Sequence, residues 1–445
     1  MNCSSHQSAS LWRSPEARLT AVLAFTLTLV LGCSSGGGEI SGAAGAAGAV
    51  SSAGGQAGAS MPGASGSAGA SLGGVSGGGA AGAGASAGRL EDAGAGGSTG
   101  GASPQGGQGG SAGSSAGAGG ASTTPAIHYV GRVDTSGSTA RFAWSGTGAV
   151  VRFNGTSASV NLGGGQEYTV VVDGTVGPKL TATDGVNSLA KGLTAGEHTV
   201  ELYRRTEASQ GESEIRGFDF AGGTLLAPPP VTRRLEFIGD SITCGYGNEG
   251  ASASCGFTPQ TENHYLSYAA LTARELKAEL STIAWSGKGV VCNYGDDATS
   301  CMDPLPTYYD RILPNRADST WDYARFQADA VVINLGTNDL STNSDPDQAT
   351  FEAAYKKLLE RVRHNYPNAH ILCTNGPMLS GTDLVNVRKY LQNAVTALAD
   401  PKISTFEVPT QDGSDGFGCD SHPSLERHKK VAATVTAALK TALGW

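Results

Sequence analysis

The sequence predicts an α/β protein, in which a three-layer α/β/α domain built on a parallel sheet follows an all-β sandwich domain. Two changes along the chain indicate this organisation: a change in amino-acid composition, and a change from short strands to alternating strands and helices. Residues 34–125 are almost entirely Gly, Ala and Ser and hold half of the chain's 66 glycines, so they cannot bury enough apolar surface to fold. Short strands follow in residues 126–228. After the prolines at 228–230, strands and helices alternate in residues 231–445.

The first 33 residues have the pattern of an export signal. Two arginines precede a short, mainly apolar stretch at residues 19–31. The ending Val-Leu-Gly-Cys resembles the bacterial lipobox, in which the cysteine, here Cys33, is lipidated and becomes the first residue of the mature protein. Ordinary signal cleavage beside a chance cysteine is the alternative. Ser34, directly after this cysteine, resembles the residue that directs lipoproteins to the outer membrane. We therefore expect an exported protein that is lipid-anchored to a bacterial cell envelope, with residues 34–125 as its tether.

Charge and hydropathy exclude two classes of partner. The formal net charge is −9 and the pI is about 5.4, whereas nucleic-acid-binding proteins need clustered Lys and Arg. No apolar run in residues 126–445 approaches the ~20 residues of a membrane span. We therefore expect no nucleic-acid partner and no membrane contact beyond the N-terminal lipid, and we expect a monomer.

Residues 126–228 predict a β-sandwich of about eight strands, of the jelly-roll kind. β-rich stretches recur at even spacing between turn residues, without convincing helical periodicity. Asn154-Gly155 and Asp173-Gly174 fit tight hairpin turns. The clearest predicted strands are residues 139–144, 149–153, 168–173, 199–203 and 215–220.

Residues 231–445 alternate buried strands with amphipathic helices, which predicts a parallel sheet covered on both faces. Ligands of such sheets bind at the carboxyl ends of the strands, so we expect the functional residues in the loops there. The predicted strands are residues 235–238, 282–285, 330–335, 370–373 and 404–408, and the predicted helices are residues 265–280, 351–365, 384–398 and 425–443.

Four short segments carry groups that suit acyl transfer, and each lies where it can reach one cleft. A serine on the turn that leaves a strand exposes its hydroxyl as a nucleophile, and a histidine can take the serine proton. The segments are Gly239-Asp240-Ser241, Ser286-Gly287-Lys288-Gly289, Gly336-Thr337-Asn338-Asp339 and Cys419-Asp420-Ser421-His422-Pro423.

These blocks, in this order, resemble those of the SGNH (GDSL) hydrolases. A β-sandwich placed before such a domain resembles carbohydrate esterase family 2, the acetylxylan-type esterases. The resemblance implies that Ser241 attacks an ester carbonyl and that His422 accepts the serine proton. It implies an oxyanion hole made by the Ser241 N–H, a glycine N–H and the Asn338 side-chain amide. The glycine is Gly287, with Gly289 as the alternative alignment, and no cofactor or metal is implied.

One position departs from the pattern of this family. The carboxylate that orients the histidine lies three residues before it in the superfamily, and here Cys419 occupies that position. A thiol or disulfide cannot stabilise an imidazolium, and loss of a triad aspartate can cost about 10⁴-fold in rate. The carboxylate of Asp420 and a backbone carbonyl are the two possible replacements. The resemblance to family 2 esterases allows either one, because it implies both triads with a carboxylate and dyads with a carbonyl. His428 competes with His422 as the base, but we expect it to face solvent on the last helix.

Six cysteines lie in the last 202 positions of the chain, from Cys244 to Cys419, and an even number in an exported protein suggests disulfides. None forms a CxxC pair or lies beside a histidine at zinc spacing, so we expect no metal site. Of the fifteen possible connectivities, the simplest pairs Cys244 with Cys255, Cys292 with Cys301 and Cys373 with Cys419.

We therefore expect a serine esterase that removes O-acetyl groups from xylan- or mannan-type polysaccharide. An esterase for acyl esters of peptidoglycan, capsule or lipid is one alternative, and a lipoprotein that binds carbohydrate without catalysis is another. The sandwich either binds glycan or forms a wall of the active-site cleft. Trp321, Tyr323 and Tyr246 either line a sugar subsite or belong to the core.

Overall fold

The computed structural model describes Thr124, residues 126–341 and residues 345–445. The predicted signal segment at residues 1–33, the lipidation site Cys33 and, except for Thr124, the predicted tether lie outside the described residues. In the described part of the chain, no helix is long and apolar enough to cross a membrane.

Two antiparallel sheets form the N-terminal domain and confirm the predicted sandwich. One sheet has the order β1-β3-β9-β5-β6, with β11 beside β3 and β7 beside β5, and the other has the order β2-β10-β4-β8. The strands are β1 (His128–Val130), β2 (Ala140–Phe142), β3 (Gly148–Gly155), β4 (Ala158–Gly163), β5 (Glu167–Val172), β6 (Thr175–Val176), β7 (Leu180–Thr181), β8 (Gly185–Ala190), β9 (Gly196–Arg204), β10 (Ser213–Asp219) and β11 (Thr224–Leu225).

The space between these two sheets is filled by side chains from alternate strand positions. Phe153, Tyr168 and Leu202 come from the first sheet, and Phe142 and Val160 come from the second. All five are fully buried, which is the pattern expected where two sheets face each other. This cluster is the hydrophobic core of the sandwich.

The two predicted hairpin turns have different outcomes. Asp173 and Gly174 join β5 to β6 with φ values of +48° and +76°, so that prediction is confirmed. The prediction for Asn154-Gly155 is wrong. These residues end β3, whose partners lie in the first sheet, whereas the next strand, β4, lies in the second sheet. The chain crosses between sheets there.

Five parallel strands and their covering helices form the C-terminal domain, as predicted. The strand order is β13-β12-β14-β15-β16. The chain places β13 on one side of β12 and then places β14, β15 and β16 on the other side, so the order reverses at β12. The elements are β12 (Arg234–Gly239), α1 (Ser241–Cys244), α2 (Tyr268–Glu275), β13 (Glu279–Ala284), β14 (Ala330–Asn334), α3 (Gln348–Asn365), β15 (His370–Thr374), α4 (Gly381–Thr396), β16 (Ile403–Phe406) and α5 (Leu425–Leu443).

Successive residues of β12 show how the three layers form. Phe237 packs into the core that α2 and α5 cover, whereas Ile238 packs into the core that α3 and α4 cover. The alternation follows from the pleat of a strand, which sends neighbouring side chains to opposite faces. The helix predicted for residues 265–280 is too long, because Lys277 adopts φ +53° and the chain enters β13 at Glu279.

A buried ion pair joins the sandwich to the parallel-sheet domain. Arg132, between β1 and β2, is 1% exposed, and its Nη2 lies 3.1 Å from Oε2 of the fully buried Glu236 on β12. The guanidinium also lies over the rings of Tyr309, Trp321 and Tyr323. Hydroxyl groups complete the surroundings of Glu236: Tyr366 at 2.8 Å, Ser281 at 3.0 Å and Tyr309 at 3.1 Å.

This ion pair has two consequences. Removing one partner of a buried pair leaves an uncompensated charge, at a cost of about 3–5 kcal/mol, so we expect loss of either side chain alone to destabilise the protein. Trp321 belongs to the buried core and the partly buried Tyr323 packs against it, so both contribute to core packing.

Candidate active site

The turn that follows β12 presents a serine at the point where the strand order reverses. Gly239 ends the strand, and an added Cβ there would lie 2.0 Å from Thr243 Oγ1, so only glycine fits. Asp240 caps α1 by accepting the Ile242 N–H at 3.0 Å. Ser241, 7% exposed, is the first residue of α1, which we call the nucleophile helix. Ligands of open parallel sheets bind at such reversal points.

His422 lies within hydrogen-bonding distance of this serine. Its Nε2 is 2.9 Å from Ser241 Oγ, and its Nδ1 is 3.2 Å from the backbone carbonyl oxygen of Asp420. A carbonyl can only accept, so Nδ1 carries the proton and donates it, and Nε2 is left free to accept from the serine hydroxyl. Burial lowers the pKa of His422 to about 4, so the imidazole is neutral at neutral pH.

The structure distinguishes between the two possible partners of the histidine. The Asp420 carboxylate accepts hydrogen bonds from Tyr246 OH at 2.8 Å and from the Phe257 N–H at 3.0 Å. It is the carbonyl of Asp420, and not the predicted carboxylate, that accepts from His422 Nδ1. The physical reason is the backbone: Asp420 and Ser421 have φ +52° and +59°, which turns the carbonyl towards the imidazole.

A disulfide and two backbone hydrogen bonds link residues 417–423, the histidine loop, to residues 253–257. A disulfide joins Cys419 to Cys255. The Asp420 N–H donates to the Cys255 carbonyl at 2.8 Å, and the Ser421 N–H donates to the Ala253 carbonyl at 3.2 Å. These three links hold Asp420 and Ser421 in their unusual backbone conformation. Strained residues at functional sites are generally held in this way by the surrounding structure.

The predicted disulfides are partly wrong. Cys292 and Cys301 are paired as predicted, but Cys255 pairs with Cys419. Cys244 and Cys373 are free and buried. Cys373 lies on β15 inside the sheet core, Cys244 faces the carboxylate of Glu207, and the partners that the sequence suggested for them are bonded to each other.

Residues 286–292, the oxyanion loop, and Asn338 lie beside the nucleophile helix. Asn338 Nδ2 donates to the Lys288 carbonyl at 2.9 Å, and its contact with Asp240 Oδ2 is long, at 3.4 Å. A ligand oxygen that accepts from this amide would have to replace the longer of these two bonds. The neighbouring Asp339 carboxylate is fully buried and accepts three backbone N–H groups of the oxyanion loop: Val290 at 2.9 Å, Val291 at 2.7 Å and Cys292 at 3.0 Å.

The two glycines of the oxyanion loop differ in their surroundings. At Gly289 an added Cβ would lie 2.0 Å from the Cys292 carbonyl oxygen and 2.5 Å from Asp339, so packing explains this glycine. Gly287 has φ +77°, and nothing lies within 4 Å of the position that its Cβ would take. Packing therefore requires a glycine at position 289, whereas the positive φ is what favours a glycine at position 287.

His428 does not face solvent, which corrects the sequence-based prediction. It is fully buried, and its Nδ1 accepts the Tyr268 N–H at 3.1 Å. Burial lowers its pKa to about 3. The first turn of α5 packs against α2, and this contact turns the imidazole inward to a structural role.

Two more residues contact the site, Tyr246, which the sequence named as a possible subsite or core residue, and Glu207, which carries no sequence signal. Tyr246 packs on the imidazole of His422, with ring centroids 4.1 Å apart, and on Phe257 at 4.3 Å, so it belongs to the site.

Glu207, from the sandwich, reaches the oxyanion loop. Among the described residues, Glu207, Cys244 and Glu262 also form a buried group that could hold a metal ion, but both carboxylate oxygens of Glu207 already accept hydrogen bonds from Ser209 and Ser286.

Comparison with known proteins gives the family of both domains. Residues 129–230 match the family described as Carbohydrate esterase 2 N-terminal, and residues 237–429 match the GDSL-like Lipase/Acylhydrolase family. The chain is 46% identical over 333 residues to the Cellulase/esterase CelE of Acetivibrio thermocellus, a match that covers 72% of this chain and 40% of that protein. The chain thus spans less than half the length of that relative.

Two further relatives are covered over nearly their whole length. An Acetylxylan esterase / glucomannan deacetylase of Cellvibrio japonicus is 27% identical over 339 residues, which cover 73% of this chain and 91% of that protein. A family two carbohydrate esterase from Clostridium thermocellum, solved in complex with cellohexaose, is 45% identical with a TM-score of 0.68 and covers 72% of this chain and 100% of its own. The chain described here therefore belongs to carbohydrate esterase family 2.

Proposed function

We propose that the chain is a serine esterase that removes O-acetyl groups from xylan- or mannan-type polysaccharide. The observation that carries this proposal is the 2.9 Å contact between Ser241 Oγ and the neutral His422. The relatives named as carbohydrate esterases, acetylxylan esterases and glucomannan deacetylases support the substrate class.

The proposed reaction uses only protein groups. Ser241 Oγ attacks the acetyl carbonyl while His422 Nε2 takes the hydroxyl proton. The Ser241 N–H, the Gly287 N–H and the Asn338 amide hold the tetrahedral oxyanion, and each such donor contributes roughly 3–4 kcal/mol to transition-state stabilisation. His422 returns the proton to the sugar oxygen, which leaves as an alcohol. A water molecule, activated by the same imidazole, then releases acetate from the acyl-enzyme.

His422 works in this proposal without a carboxylate partner. The Asp420 carbonyl supplies a dipole that fixes the tautomer and orients the ring, and it stabilises the transient imidazolium less than a carboxylate does. Stacking on Tyr246 restricts the imidazole further.

We also propose that the protein is exported and anchored through a lipid on Cys33, with residues 34–125 linking this anchor to the folded domains. Growth with a labelled fatty acid tests this, because a Cys33→Ala variant should lose the label and leave the membrane fraction. Label retained by the variant would contradict the proposal.

The experiment that tests the esterase proposal compares the purified protein with its Ser241→Ala variant on acetylated xylan, acetylated glucomannan, 4-nitrophenyl acetate and 4-nitrophenyl butyrate. Acetate release from a polysaccharide, strong preference for acetyl over butyryl and no activity in the variant are the expected results. Butyrate turnover without action on polysaccharide would indicate a general esterase. Glycan binding without hydrolysis would indicate a carbohydrate-binding protein.

A further inference from the structure

We propose that Glu207, a residue of the β-sandwich, is a positioning residue for the reaction. Its carboxylate fixes the oxyanion loop against the nucleophile helix and so sets the distance between two backbone donors of the oxyanion hole. The inference rests on the proposed roles of Ser241 and Gly287. It gives the sandwich a part in the reaction that neither binding glycan nor forming a wall of the cleft requires.

The contacts of the Glu207 carboxylate join elements that lie far apart in sequence. Its Oε2 accepts the Ser286 N–H at 2.6 Å and lies 3.5 Å from Cys244 Sγ. Ser286 directly precedes Gly287, and Cys244 is the last residue of the helix that Ser241 begins. One oxygen atom therefore contacts both structures that supply backbone N–H groups to the oxyanion.

The backbone of Glu207 is held as firmly as its side chain. Its N–H donates to Glu262 Oε2 at 3.1 Å, and its carbonyl accepts from Arg204 Nη2 at 2.8 Å. Glu207 is 3% exposed, and Arg204 and Glu262 are fully buried. Hydrogen bonds between buried groups are strengthened by the low local dielectric, so these two bonds hold Glu207 in place relative to the sandwich.

The role of Glu207 is geometric and does not depend on its charge. A negative charge next to an oxyanion would oppose the reaction, so the carboxylate can assist only through the N–H that it orients. The reach of the side chain should therefore matter more than its ionisation. Two conservative variants separate these properties: Glu207→Gln keeps the reach and removes the charge, whereas Glu207→Asp keeps the charge and shortens the side chain by one methylene.

The experiment measures kcat and KM for 4-nitrophenyl acetate, with active sites counted by a serine-reactive phosphonate. Because a misplacement of about 1 Å can cost about 10²-fold, we expect Glu207→Asp to lower kcat per titrated site by roughly 10- to 100-fold at unchanged KM. Glu207→Gln should stay close to the wild type. Glu212→Asp is the matched control, because Glu212 pairs with Arg316 of the other domain at 2.7 Å, and it should change nothing.

The outcomes separate this inference from the proposed function. Wild-type kcat per titrated site in Glu207→Asp would overturn the inference, even if the variant were less stable. A loss in Glu207→Gln equal to that in Glu207→Asp would also overturn it, because the charge would then matter as much as the reach. If the phosphonate did not label Ser241 in the wild type, the proposed function itself would fail.

Discussion

The two sides of the candidate active site are held by different means. On the nucleophile side, Ser241 and Asn338 follow directly from neighbouring parallel strands, and buried carboxylates fix the loops between them. On the histidine side, His422 lies on a loop beyond the sheet, held by one disulfide and by backbone contacts with residues 253–257. The first arrangement is set by the sheet itself, whereas the second depends on a few long-range links.

The largest effect is expected on the nucleophile side, from Asp339→Ala. This change leaves three N–H groups of the oxyanion loop without their acceptor, and each unsatisfied buried donor costs about 1–3 kcal/mol. We expect the free energy of unfolding in urea to fall by about 3–5 kcal/mol, since the loop relaxes in part. Asp339→Asn keeps one acceptor oxygen and should lose less. Wild-type stability of Asp339→Ala would show that the carboxylate does not anchor the loop.

The histidine side should respond to loss of its disulfide. A Cys255→Ala, Cys419→Ala variant removes a link between residues 164 apart, and we expect it to lose about 2–4 kcal/mol of stability together with activity. The matched control removes the link between Cys292 and Cys301, which are 9 residues apart, and should lose less because the loop it closes is short. Denaturant unfolding and kcat compare the two. An unchanged kcat in the first variant would mean that the disulfide does not position His422.

The pH dependence tests what orients the histidine. Burial lowers the pKa of His422 to about 4, and the carbonyl on Nδ1 offsets only part of this effect. In the proposed reaction the neutral imidazole is the base, so kcat/KM should stay level as pH falls from 8 to 5 and should then drop with a midpoint near 4. A carboxylate on Nδ1 would instead raise the pKa of the histidine above its ordinary value of about 6.5. A midpoint at or above that value, in protein shown by circular dichroism to be folded, would contradict the carbonyl arrangement.

The nucleophile side could be predicted from the sequence because its signals are local. Buried strands followed by Gly239-Asp240-Ser241 and by Gly336-Thr337-Asn338-Asp339 place these groups at one edge of a parallel sheet. The last helix was also predicted at its observed bounds, Leu425–Leu443, since its apolar residues recur at helical spacing.

The rest depends on contacts that no local pattern encodes. The partner of Cys419 is set by how residues 253–257 pack on the histidine loop, and the orientation of the Asp420 carbonyl is set by two positive φ angles. The inward position of His428 depends on which face of α5 meets α2. Glu207 lies in another domain, so only the assembled structure brings it to the oxyanion loop.

The measurement that tests the account most directly is the activity of Asp420→Asn. Asparagine tolerates the positive φ at this position, its side-chain oxygen can still accept from Tyr246 and Phe257, and the backbone carbonyl at His422 Nδ1 remains. We therefore predict kcat/KM within roughly one order of magnitude of the wild type, whereas a loss near 10⁴-fold in a folded variant would show that the carboxylate, and not the carbonyl, orients His422.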